Sequence, residues 1–160
     1  MADADFTSAL RSTGFNSVTG ALAEQLAKVA AARKEMLTAA GLELVSQWKQ
    51  ELSTPGTGIE YARGAKTHIA SAPGQPPAPD TGALRNSIQM EYDEMRSVMR
   101  VGTNIVYAAP LEFGTKTAGR GHHTVIAPRP AARPALAKAQ ARMGTAFFGK
   151  IQLVTRRGVV

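Results

Sequence analysis

The sequence predicts an α+β domain, in which a long N-terminal helix and a C-terminal helix pack on a small, mostly antiparallel sheet between flexible N- and C-terminal arms. Three observations predict it. Leu22, Leu26, Val29, Met36, Leu37, Ala40, Leu44, Trp48 and Leu52 recur at helical steps. Ile88, Met90 and Tyr92 alternate with Gln89 and Glu91, the signature of a strand with one apolar face. Residues 131–148 carry a second helical pattern through Leu136, Ala139 or Gln140, Met143 and Phe147.

Taken in order, residues 1–20 hold Ser, Thr, Asn and Gly with few periodic apolar positions, and read as a flexible arm. The first helix begins at Ala21. Its apolar positions form one stripe, and Glu24 and Lys28 are an i,i+4 pair in the favoured order. Unbroken to Leu52, the helix would be about 48 Å long. Gly41 weakens its middle and marks a candidate bend. Pro55-Gly56 ends it.

Residues 54–79 read as a linker or long loop, rich in Gly and Pro, with an extended last stretch from Ser71 to Pro79. Asp80 or Thr81 caps a short turn over Gly82-Ala-Leu-Arg85, with φ > 0 expected at Gly82. The strand at Ile88–Tyr92 turns at Asp93-Glu94 and returns as Val98–Val101, a β-hairpin. Tyr107–Phe113 is a short helix stopped by Gly114. Thr117–His123 is a loop, Thr124–Ala127 a short strand, and Ala131–Phe148 the last helix. The organisation is thus an arm (1–20), one domain (21–148) and a basic tail (149–160).

Alanine makes up much of the 44% hydrophobic content, and aromatics are 6%. A thin core is expected, with helices approaching closely through Ala. The chain has no cysteine, which excludes disulfides and thiolate metal sites. No apolar run approaches a membrane span, and the acidic Met1–Phe6 stretch is unlike a signal peptide. The reading is a chain made and kept in the cytosol.

The net charge of +7 is unevenly placed. Residues 1–112 hold ten Lys/Arg and twelve Asp/Glu, and residues 113–160 hold nine Lys/Arg and no acid. Such a segment suits an acidic contact, either a protein ring or nucleic acid.

No constellation for catalysis stands out. His122-His123 are adjacent, and neither helix nor strand points neighbours the same way, so they make a poor metal pair. Gly114–Gly121 lacks the Gly-Lys-Ser/Thr of a phosphate loop. No Ser lies in an elbow sequence. Catalytic, cofactor and metal residues are accordingly expected to be none.

The contact candidates are Arg85, Tyr107, Glu112, Phe113, Arg129, Arg133, Arg156 and Arg157. Arg85 can pair with Asp80 or Glu112. Tyr107 and Phe113 are expected to bury their rings on the sheet. Glu112 is read as a partner, within or between chains, for Arg129 or Arg133. Those two arginines lie four apart at the opening of the last helix. On one face, their guanidinium forks would suit carboxylates of a neighbouring subunit. Pro130 suits the first helical position, and Pro134 falls in or just past the first turn.

The order of segments carries a resemblance. A long Ala-rich helix and a proline-rich stretch lead to Thr81-Gly-Ala-Leu-Arg-Asn-Ser-Ile88 and a hairpin. Val101-Gly-Thr103, Tyr107-Ala-Ala-Pro-Leu-Glu-Phe-Gly-Thr115 and Ala127-Pro-Arg-Pro-Ala-Ala-Arg-Pro-Ala-Leu136 follow. Over roughly residues 15–148 this resembles the tail-completion (head–tail joining, or neck) proteins of long-tailed bacteriophages, which include the Z-type minor tail proteins of lambda-like phages. Ala131-Ala132 stands where the family often has a bulky apolar residue, and Lys116–His123 is this chain's own.

The resemblance implies a structural virion protein with no enzymatic activity, assembled in the host cytoplasm and resident in the tail or neck. It implies a self-assembled ring, a hexamer, at the head-proximal end of the tail. Implied partners are the tail terminator or tail tube protein and the head-completion or connector proteins, with the DNA end in the lumen as a further contact. A tail terminator or head-closure connector protein is the nearest alternative, and a basic nucleic-acid-binding module another. The last lacks a visible helix-turn-helix, finger or stacking platform.

Overall fold

The computed structural model describes residues 15–144, 151–155 and 158–159. Residues 1–14 of the expected arm, the segment 145–150, Arg156, Arg157 and Val160 lie outside the described residues. The fold is α+β, as the sequence predicts. Its elements are α1 (Phe15–Glu51), β1 (Glu60–Arg63), β2 (Lys66–Ile69), α2 (Ala83–Asn86), β3 (Gln89–Asp93) and β4 (Val98–Thr103). There follow α3 (Ala108–Phe113), β5 (Thr115–Ala118), β6 (Thr124–Ile126), α4 (Ala132–Met143), β7 (Ile151–Thr155) and β8 (Gly158–Val159).

The chain divides into two units, residues 1–36 and 37–160. Described residues of the first belong to the N-terminal part of α1. Helix begins at Phe15, so residues 15–20 are helical where an arm was expected. Val18, Leu22, Leu26 and Val29 are exposed along this part, and Lys28 Nζ meets Glu24 at 2.7 Å.

In the second unit the α1 stripe becomes core. Leu37, Ala40, Leu44, Trp48 and Leu52 are buried with Ile88, Met99, Val101 and Leu153. Ala131, Ala132, Ala135 and Ala139 complete the cluster, and each is at most 2% exposed. With no side chain beyond Cβ, these alanines let the last helix approach the rest of the core closely. A fully buried side chain such as Leu44 contributes about 1.5–3 kcal/mol relative to exposure. α1 runs on through Gly41. A Cβ there would lie 2.9 Å from Met99 Cγ, so the glycine admits a core side chain.

The main sheet runs β3-β4-β7-β8. β3 and β4 form the expected hairpin, with Met90 opposite Val101 and Tyr92 opposite Met99. β7 joins β4 in parallel, with Leu153 opposite Val101, so the sheet is mixed. Residues 151–155 are therefore a sheet strand and not a tail. Sequence alternation alone did not identify β7, whose parallel partner lies some fifty residues away.

Two further departures are small hairpins. β1 pairs β2 inside the stretch expected to be a loop, fastened at its base by Gly58 N–H to Ala70 O at 2.7 Å and Ala70 N–H to Ile59 O at 2.9 Å. β5 pairs β6, so Thr115–Ala118 is strand, partly where a loop was expected. The last helix starts at Ala132 and ends at Met143, with Gly144 (φ 85°) closing it, short of the expected Phe148. Pro130 precedes its N-cap and Pro134 lies in its first turn.

Across the two helices, Lys138 pairs with Glu51, and Arg142 meets Glu43 at 3.0 Å. Gln47 Nε2 donates to the same Glu43 Oε1 at 2.9 Å.

Candidate functional site: two interlocked segments

The two segments that stand out in the sequence, around 107–115 and 127–136, are fastened to each other. Tyr107 is the N-cap of α3, and Gly114 (φ 75°) ends that helix. The positive φ is one that L side chains rarely adopt, and a Cβ at Gly114 would lie 2.9 Å from Ile126 O and 3.1 Å from Pro128. Glycine therefore both turns the chain and lets the second segment pass.

Glu112, on α3, is buried. Its Oε2 accepts the main-chain N–H of Ala131 at 2.8 Å and of Ala132 at 3.0 Å, and its Oε1 accepts that of Arg133 at 3.2 Å. These are N–H groups at the open end of α4, whose own N-cap, Ala131, has no side-chain oxygen to offer. A carboxylate there also lies favourably to the helix dipole. Glu112 therefore serves main-chain amides, not the guanidinium groups that the sequence suggested. One of those amides belongs to Arg133.

The arginines diverge. Arg129 N–H donates to Leu111 O at 2.6 Å, and its Nε donates to Ser71 O at 3.2 Å. Arg133 places its guanidinium 5.3 Å from the Phe113 ring centroid. Arg129 precedes α4, so the two arginines do not share a face of that helix as expected. Gly74 N–H donates to Pro128 O at 2.9 Å, tying the proline-rich stretch to the same segment.

Tyr107 and Phe113 are 48% and 45% exposed, contrary to the expected burial on the sheet. The buried residues of α3 are Ala108, Ala109 and Glu112. The helix turns its small residues and its carboxylate inward, and its aromatics remain at the surface with Val106.

The other distinctive residues are also architectural. Gly82 has φ 76° as expected, and Thr81 Oγ1 accepts the Ala83 N–H at 3.3 Å. Arg85 Nη1 donates to Ser53 Oγ at 3.3 Å. Of its two expected partners, Asp80 and Glu112, the second is held by three amides instead. Ser87 and Thr103 hydroxyls lie 2.6 Å apart, and Ser87 Oγ donates to Leu84 O at 2.8 Å. Between Val101, which is fully buried, and Thr103, a Cβ at Gly102 would stand 2.0 Å from Val154 O. That glycine admits β7.

A cleft of about 520 Å³ lies beside the interlock, lined in part by Tyr61, His68, Arg85, Tyr107 and Arg129. Among the described residues, no cluster of three or more His, Cys, Asp and Glu could hold a metal ion, and no helix is long and apolar enough to cross a membrane. His122 (φ 55°) lies with Nδ1 3.3 Å from Thr117 O, within the β5–β6 turn.

The basic segment is partly neutralised from within. Lys138 and Arg142 pair with carboxylates of α1. On the sheet hairpin, Arg96 N–H on Asp93 Oδ1 holds that carboxyl below its ordinary value, against partial desolvation and with help from Arg100 at 2.6 Å. No protein-family model, no curated protein and no solved structure matches the chain.

Proposed function

We propose that the chain is a structural protein of the neck of a long-tailed bacteriophage, forming a ring at the head-proximal end of the tail and making the tail competent to join the filled head. The Glu112 interlock is the observation that carries this reading. Its buried carboxylate fixes the relation of the 107–115 and 127–136 segments by three main-chain hydrogen bonds. The chain's most distinctive residues are thereby spent on shape. Val106, Tyr107 and Phe113, exposed beside the interlock, supply a contact surface of the kind that ring subunits require.

The segment order supports the same reading, through its resemblance to tail-completion proteins. Self-association into a ring, a hexamer, and contacts with a tail terminator or tube protein and with head-completion proteins belong to this proposal. So does residence in the virion. Three amides at the start of α4 and one carboxylate of α3 make a rigid support, and rigidity suits an interface repeated around a ring.

Removal of the gene from the virus that encodes it tests the proposal. Lysates are expected to contain filled heads and complete tube-length tails that stay unjoined, and purified protein is expected to restore joining. Infectious joined particles without the protein would contradict it.

A further inference from the structure

Residues 18–36 of α1 present an uncovered apolar stripe. Val18, Leu22, Leu26, Val29 and Met36 are 66%, 59%, 62%, 65% and 43% exposed. In proteins most helical stability comes from packing an apolar face rather than from intrinsic propensity. We infer that this segment pairs with the same segment of a second copy, as an antiparallel two-helix contact. This goes beyond the ring. A two-fold contact closes on itself and cannot by itself propagate a ring.

The spacing selects the face. Leu22, Val29 and Met36 are seven residues apart, and Val18, Gln25 and Ala32 form the companion row, each four residues before one of them. In an antiparallel pair Val29 meets the partner's Ala32, and Met36 meets the partner's Gln25. A large side chain thus lies opposite a smaller or flexible one, and the alanine permits close approach.

Charge selects the direction. In the antiparallel pair Lys28 flanks the seam opposite the partner's Glu35, and symmetry repeats this contact on the other side. A parallel pair would set Lys28 against the partner's Arg33, a like-charge contact. Lys28 also meets Glu24 of its own helix at 2.7 Å, and an ammonium has donors for both carboxylates. Leu26 lies along the partner's Arg33, whose methylene stem can cover it.

Light scattering on the full chain tests the pair. Free in solution, before a ring is assembled on the tail, the wild type is expected at twice the chain mass of 16.9 kDa. Val29→Glu, at an exposed position, should weaken association at least about tenfold with unchanged circular dichroism. Lys28→Glu should weaken it too, and adding Glu35→Lys should restore it.

The absence of native cysteine allows a direct check of direction. In the antiparallel pair two copies of residue 22 are about 25 Å apart along the axis. Leu22→Cys alone should therefore form no intermolecular disulfide under mild oxidation. Mixed Val29→Cys and Ala32→Cys chains should cross-link to each other in preference to themselves. A monomeric wild type, an assembly indifferent to Val29→Glu, or ready self-linking of Leu22→Cys would overturn the inference.

Discussion

The Glu112 carboxylate accepts the Ala131 main-chain N–H at 2.8 Å, so a side chain of one short helix closes the N-terminus of another nineteen residues later. Neither helix could end as it does alone. The residue before α4 carries no capping oxygen, and α3 would bury an acid without a partner.

Glu112→Ala should therefore destabilise the fold by about 2–4 kcal/mol, since it strips the acceptor from three amides. Glu112→Gln keeps one carbonyl acceptor and should lose less, about 1–2 kcal/mol. Urea unfolding of the two variants provides the ordering. Equal stability of Glu112→Ala and wild type would remove the interlock from this account.

Gly102→Ala should destabilise by about 2–4 kcal/mol, because the new methyl would collide with the backbone of β7. Hydrogen exchange is the sharper readout. Amides of the β4–β7 ladder should lose protection, and those of the β1–β2 hairpin should not.

Asp93 gives a signed pH effect. Its carboxyl is held below the ordinary 3.8, so its contribution is fully present above that value and fades as pH falls through the lowered one. Asp93→Asn should flatten the fall of melting temperature with acid below about pH 3.8. An acid limb identical to that of the wild type would argue against the contact with Arg96 and Arg100.

Tyr107→Ser combined with Phe113→Ser separates surface from core. Both rings are about half exposed, so the loss in unfolding free energy should stay near about 1–2 kcal/mol, including the Arg133 contact on Phe113. Complementation of joining should nevertheless fail. A variant that unfolds outright would instead mark the rings as core.

Local signals carried much of this fold. Gly82 and Gly114 take the positive φ that their places in turns demand, and the 89–103 hairpin follows its alternation. Elements with distant or polar partners were hidden. β7 needs a parallel neighbour fifty residues back, and β1, β2 and β5 carry too few apolar residues to alternate. Periodicity in α1 reported a continuous face without saying what covers it, which is core from Leu37 and exposed before Met36. Glu112 looked like an ion-pair partner because main-chain amides leave no trace in a sequence. Aromatic type suggested burial for Tyr107 and Phe113, where Ala108 and Ala109 occupy the inner face instead.

The decisive measurement is electron microscopy of virions labelled with antibody fragments raised against this chain. The account predicts label confined to the junction of capsid and tail tube. Unlabelled particles, or label at the capsid faces or the distal tail tip, would contradict it.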